Sequence, residues 1–236
     1  MYSPELYSEA GREALADEAT QASISATGRR AFSDLAPAQE YPEATELFKQ
    51  GSAGSDVYLV DRGLVKLTAL GEAGQELIIG LRTAGRLLGL SSVILQRPYP
   101  VSAVTLTRSQ ARRVPGEILL YVLRNNIQFS RYVHQEISQE TYDHVAQLVG
   151  LGCMSARCRL ERLLVQMVSP AEIGGHKKDI HLPMLLKHWE IAQLIAITPQ
   201  HLSRVLKKME NDGVLRQEKG RMILTDPSRL CQPPDF

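Results

Sequence analysis

Residues 198–208 are where residue type and spacing most clearly suggest a chemistry, and that chemistry is recognition rather than bond making. The stretch reads Thr198-Pro199-Gln200-His201-Leu202-Ser203-Arg204-Val205-Leu206-Lys207-Lys208. Thr198 is a good helix N-cap, and Pro199 at the first helical position forfeits no hydrogen bond. If Leu202 and Val205 face a core, the exposed face presents Gln200, His201, Ser203, Arg204, Lys207 and Lys208. An arginine can grip guanine through two hydrogen bonds, and a glutamine can do the same with adenine. Lys207 and Lys208, a turn further on, suit phosphates. Catalysis has no comparable candidate. The sequence offers no nucleophile–base constellation, no metal-ligand spacing and no phosphate-binding glycine loop opening a helix, so no catalytic residue, metal or cofactor is expected. The three cysteines, Cys153, Cys158 and Cys231, make no C-x-x-C pair. They are too few for a four-thiolate cluster and argue against a disulfide framework. Cys153 and Cys158 are expected to be packed thiols.

The residues before 198 are those needed to position such a helix. Ile191 and Ile195 fall at core positions of a preceding helix that begins near His188, and Ala192 is small where two helices would approach. Ala196 occupies the turn, where glycine is commoner, and Ile197 plugs it. Together these offsets define a helix-turn-helix over residues 188–207. Asn211-Asp212-Gly213 stops the second helix. Val214–Arg216 and Arg221–Leu224, joined through Gln217-Glu218-Lys219-Gly220, read as a β-hairpin wing whose basic tip could meet phosphates.

Charge agrees modestly. Residues 155–236 carry 13 Lys and Arg against nine Asp and Glu, on a chain whose formal net charge is +1. A basic C-terminal third on a slightly acidic remainder fits nucleic-acid binding. There is no run of about 18 apolar residues and no basic-then-apolar leader, so a soluble, cytoplasmic protein is expected.

Further upstream the pattern is first β and then helical. Residues 1–40, rich in Ala, Ser and Glu, read as an extension, partly helical or disordered. From residue 41 to Val114, short β-forming runs such as Val57–Val60, Leu64–Thr68 and Glu76–Ile79 alternate with glycines. That suggests a compact antiparallel roll or barrel, with Gly71–Gly74 as a hairpin loop. Pro115 opens a helical region. A longer helix reaches about Val149, with Val133, Ile137, Val145, Leu148 and Val149 on a stripe suited to a barrel face, a partner helix or both. Gly150-Leu151-Gly152 is expected to break it and act as a hinge. Ser155 caps the next helix, Ser169-Pro170 ends that one, and residues 174–178 form a polar loop.

Over about residues 41–225 the chain resembles the CRP/FNR family of bacterial transcription regulators. The resemblance rests on Tyr41–Gly51 at the entry to the roll, on Gly63, Gly74 and Glu76 within it, and on Thr198–Arg204. It implies an α+β protein with an N-terminal antiparallel β-roll of the cyclic-nucleotide-binding type, a long dimerisation helix and a C-terminal winged helix-turn-helix. The implied segments are an extension over 1–40, the roll over 41–124, the dimerisation helix over 125–150 and the DNA-binding domain over 151–236. The implied partners are double-stranded DNA, a second copy of the chain and RNA polymerase. The implied effector pocket is Gly89, Leu90, Ser102 and Ala103, with Thr141 and Tyr142 from the long helix.

The departures from the family bear on the effector. Cyclic-AMP-binding members have Gly-Glu-Leu and Arg-Ser-Ala segments, where the Glu holds the ribose hydroxyl and the Arg the cyclic phosphate. Here they read Gly89-Leu90-Ser91 and Val101-Ser102-Ala103. A buried phosphate without its cation loses a charge-assisted contact, so cyclic AMP is not expected as effector. Arg97 is near in sequence but is not expected to take its place. A more apolar effector, or none, is expected. Haem would need His134 or His144 as an axial ligand and is not expected either. Members often carry Glu where this chain has Gln200, so its DNA half-site should differ from theirs. The alternative is a ligand-sensing module that regulates a protein partner through its C-terminal domain.

Overall fold

The computed structural model describes residues 27–167, 179–182, 186–218, 221–225 and 230. Most of the 1–40 extension, the Ser169-Pro170 stop, the 174–178 loop, Lys219 and Cys231 lie outside the described residues. So does the tip of the wing.

Eight strands build the N-terminal domain. They are β1 (Gln39–Tyr41), β2 (Glu46–Phe48), β3 (Asp56–Arg62), β4 (Val65–Leu70), β5 (Glu76–Arg82), β6 (Leu87–Leu88), β7 (Ser102–Thr105) and β8 (Ser109–Pro115). They form two antiparallel sheets, ordered β1-β8-β3-β6 and β2-β7-β4-β5. The expected hairpin joins β4 to β5. Its turn is closed by the Gly71 N–H donating to the Gln75 carbonyl and the Gly74 N–H donating to the Gly71 carbonyl. Gly74 has a φ of 77°, a conformation glycine adopts freely.

Alternation along β3 distributes the two cores. Tyr58 and Val60 face inward, against Leu47 and Phe48 of β2, Val65 and Leu67 of β4, and Ala103 of β7. Val57 and Leu59, on the other face, pack against helices. Those helices are α1 (residues 27–35), α2 (Leu90–Leu95), α3 (Gly116–Asn125) and α4 (Ile127–Cys153). Part of the segment read as an extension therefore belongs to the roll. Phe32 of α1 is fully buried and its ring stacks on Phe129 of α4 at 6.2 Å. Arg112 of β8 holds the end of α1 by donating to the Ser33 and Ala36 carbonyls, both at 2.9 Å, which satisfies groups the helix cannot pair itself.

The expected break at Gly150–Gly152 is absent. α4 continues through both glycines to Cys153 and turns at Met154, where ψ is 146°. Gly150 is buried, and a Cβ there would lie 3.3 Å from the Met154 sulfur, so close packing explains that glycine inside a helix. Cys153 is exposed rather than packed. Ser155 caps α5 (Ala156–Gln166) as expected, accepting from the Cys158 N–H.

The C-terminal domain adds α6 (His188–Leu194), α7 (Pro199–Asn211) and a sheet ordered β10-β11-β9, from β9 (Ile180–His181), β10 (Leu215–Glu218) and β11 (Arg221–Leu224). β10 runs further than the expected Val214–Arg216, because Gln217 and Glu218 pair with Met222 and Arg221. Arg157 of α5 clasps α7 through Asp212 and also reaches Glu161 at 2.8 Å.

The domains meet where α6 docks on β4 and β5. Glu190 accepts from the Lys187 N–H at the start of α6 and from Lys66 Nζ, both at 2.8 Å. Gln193 brackets β5, accepting from the Ile78 N–H at 3.1 Å and donating to the Glu76 carbonyl at 2.9 Å. Neither contact was legible in the sequence.

Candidate nucleic-acid interface

The reading helix, α7, is fixed from beneath and capped at its start. Leu202, Leu206 and Met209 are buried against Ile191, Ala192 and Ile195 of α6 and its C-cap. The turn closes through the Ile197 N–H donating to the Ala192 carbonyl at 2.9 Å. Ala196, in the turn, takes a φ of 52°, the left-handed conformation that glycine tolerates best. Thr198 Oγ1 accepts from the His201 N–H at 3.2 Å, and Pro199 occupies the first turn.

On the outer face, Gln200, Ser203, Arg204, Lys207 and Lys208 recur at three- and four-residue steps, so they share one stripe of the helix. All are exposed, as are Thr198, Pro199 and His201. Ser203 Oγ donates to the Pro199 carbonyl at 3.1 Å. Arg204, Lys207 and Lys208 form no ion pair among the described residues. By contrast Arg82, Arg86, Arg112, Arg113 and Arg157 are all engaged with carboxylates. The structure therefore gathers the DNA-reading candidates on one free face, next to a β10–β11 wing.

The six effector-pocket candidates are not gathered in this way. Gly89 has a φ of 81° and caps α2, with Tyr99 and the Asp56 carbonyl pressed against it. Leu90 and Ala103 are buried, and Ser102 Oγ accepts from the Gln50 N–H. Thr141 and Tyr142 are exposed on α4, where Thr141 Oγ1 bonds the Ile137 carbonyl. Aromatic rings meet inside the roll: Phe48 stacks on Tyr99 at 4.1 Å, and the Tyr99 hydroxyl donates to the Asp56 carbonyl at 2.6 Å. Tyr99 was not singled out from the sequence, although an aromatic between Pro98 and Pro100 is a signal for a rigidly placed ring. Arg97 is exposed. His134 is exposed and its Nδ1 lies 2.7 Å from the Ser130 carbonyl, whereas His144 sits 3.1 Å from Arg82.

An antiparallel roll carried on a long helix and followed by a winged helix-turn-helix with a free cationic face defines a class of DNA-binding regulators. Comparison with known proteins identifies the branch. The chain matches a cyclic nucleotide-binding domain over residues 38–126 and a Crp-like helix-turn-helix domain over 158–232. It is 25% identical to the transcriptional activator protein Anr of Pseudomonas protegens, over 78% of this chain and 75% of that one. It is 24% identical to the cyclic AMP receptor protein of Thermus thermophilus, over 80% and 84%. Among solved structures, FixK2 from Bradyrhizobium japonicum superposes with a TM-score of 0.69 at 19% identity, over 82% of this chain and 94% of that one. The chain belongs to the CRP/FNR family of transcription regulators. No described helix is long and apolar enough to cross a membrane.

Proposed function

We propose that this regulator reads a specific, two-fold-related DNA site as a homodimer and does so without cyclic AMP. The observation that carries the DNA reading is the α7 stripe of exposed Gln200, Ser203, Arg204, Lys207 and Lys208, whose cations have no intramolecular partner among the described residues. Gln200 and Arg204 lie in the N-terminal half of the helix, the part that enters a major groove, and are assigned to base edges. Lys207 and Lys208 are assigned to phosphates. Such a protein works in the cytoplasm, with RNA polymerase as its partner at promoters.

The dimer is supported by α4. Tyr142, Val145 and Leu148 follow one another at three-residue steps and are 55%, 53% and 67% exposed. A helix stripe that stays apolar and uncovered within its own chain suits a second copy of the same helix.

Independence from cyclic AMP is supported by the roll. Leu90 is buried where cyclic-nucleotide-binding members place a carboxylate, and Val101 packs on the roll core where they place an arginine. These residues and the Phe48–Tyr99 stack do not suit a buried, charged cyclic phosphate. The effector is instead a different small molecule, or the protein acts without one.

Selection of bound sequences from random duplex DNA tests the proposal. The expected product is a near-palindrome with half-sites about one helical turn apart. Recovery of unrelated sequences, or of a single asymmetric half-site, would count against it.

A further inference from the structure

A cavity of about 760 Å³ lies between the two domains, away from the roll interior. Its apolar wall comes from Leu81, Leu87 and Leu90 of the N-terminal domain, Leu151 of α4, Leu163 of α5 and Leu194 of α6. Of the six pocket positions expected from the sequence, only Leu90 reaches it. The volume is that of pockets that enclose small organic molecules.

The charges lining it are unevenly disposed. Four guanidinium groups, Arg82, Arg86, Arg159 and Arg162, face three carboxylates, Glu136, Glu140 and Asp143. Arg82 is paired with Glu140 at 3.1 Å and Arg86 with Asp143 at 2.6 Å. Burial raises the Glu136 pKa, against the opposing pull of Arg86 and Arg29. Glu136 stands fourteen residues before Gly150, about 21 Å along the helix at 1.5 Å per residue. The far end, at Gly150 and Met154, belongs to Arg159 and Arg162. Arg159 donates to the Ile195 and Met154 carbonyls at 2.9 and 2.7 Å. Arg162 reaches only the Met154 thioether sulfur, at 3.5 Å, among the described residues. A thioether is a weak acceptor, whereas a guanidinium matches a carboxylate with two parallel bonds.

We infer that this inter-domain cavity is the regulator's ligand site, and that it takes an elongated organic monoacid with an apolar body whose carboxylate docks on Arg162. The leucine wall receives the body, and the acid head replaces the poor thioether contact. Such a ligand touches both domains at once. It lies beside Arg159, which holds the Ile195 carbonyl one residue before the helix-turn-helix turn. A molecule bound here favours the domain arrangement that keeps its walls together. This effect on DNA reading rests on the function proposed above; the site itself does not.

Calorimetric titration of the full chain with decanoate, in the absence of DNA, tests the site. Saturable binding of one decanoate per chain is expected. Arg162→Met should weaken it about tenfold or more, the loss of a charge-assisted pair, whereas Arg162→Lys should retain most of the affinity. Gln147→Trp, at an exposed position on the cavity rim, should block entry while leaving the circular dichroism melt unchanged. No saturable heat, or equal binding by wild type and Arg162→Met, overturns the site. If Arg162→Met does not fold, undiminished binding by Gln147→Trp overturns it instead. A null titration leaves the DNA proposal standing, and a failed DNA selection leaves the site standing, so the two fail separately.

Discussion

Replacing Ala196 with glycine should stabilise the protein, although it removes a methyl group from the motif that defines the DNA-binding domain. Ala196 holds a φ of 52° between α6 and α7. A residue with a Cβ pays on the order of 1–2 kcal/mol for the left-handed conformation, and glycine escapes that strain. Glycine also gives the unfolded chain more freedom, which costs about 0.4–1 kcal/mol. Ala196 is exposed, so deleting its methyl leaves no cavity and these two terms are the whole account. The net gain is about 0.5–1 kcal/mol. Urea denaturation should show the midpoint rising with the slope unchanged. Ala196→Val sets the opposite expectation, since a β-branched side chain fits positive φ worst, and it should lose about 1 kcal/mol or more. A lowered midpoint for Ala196→Gly, or equal midpoints for the two variants, would refute the reasoning.

Three further outcomes are expected. Arg204→Ala should cost on the order of 1–3 kcal/mol on the selected site and relax the preference at one base position, whereas Lys207→Ala should weaken all sequences alike and shallow the salt dependence by about one; competition gel shifts at several salt concentrations distinguish the two, and equal losses on selected and scrambled DNA by Arg204→Ala would remove its base-reading role. Leu148→Glu should yield monomers in sedimentation velocity at concentrations where the wild type is dimeric, because burying two facing unpaired carboxylates costs several kcal/mol; an unchanged dimer would move the interface away from the α4 seam. Asp56→Asn should cost about 1 kcal/mol at neutral pH: burial pushes the Asp56 carboxyl up, but hydrogen bonds from Arg113 and Ser55 outweigh it and leave its pKa below the ordinary value. A depressed folded pKa stabilises above the unfolded value and is lost as pH falls through the folded one, so the two proteins' urea midpoints should converge below about pH 4.

The helix-turn-helix was legible because its constraints are local. Core residues at fixed offsets, a small residue at the helix contact and a capped Thr-Pro start are all written within twenty residues. The β4–β5 hairpin was legible for the same reason, with glycines at its reversal. The glycines of α4 misled because their cost in a helix, about 1 kcal/mol each, is a local signal. Close packing of Gly150 against Met154 and the Arg159 bonds to the Leu151 and Met154 carbonyls answer that signal in three dimensions. Phe32 was hidden in a run of Ala, Ser and Arg, where a single aromatic sets no period. The docking of α6 on the roll joins Lys66 to Glu190 across 124 positions, and no window along the chain can display such a pair. The effector positions carry no local signal of their own. They rest on the resemblance to members that bind a cyclic nucleotide, whereas the stacking of Phe48 on Tyr99 inside the roll and the cavity between the domains arise only on folding.

Gln193 gives that junction a further consequence. β5 is the last strand of its sheet, and a side-chain amide, rather than another strand, satisfies its Ile78 N–H and Glu76 carbonyl. Were the reading head to leave the roll, those two groups would come free beside Leu77, which is already about half exposed. An unpaired strand edge with an apolar neighbour is where a strand from another molecule can add itself. The docking of the DNA-binding domain is thus tied to the colloidal behaviour of the protein. Gln193, by holding α6 on the roll, also covers a surface on which aggregation could begin.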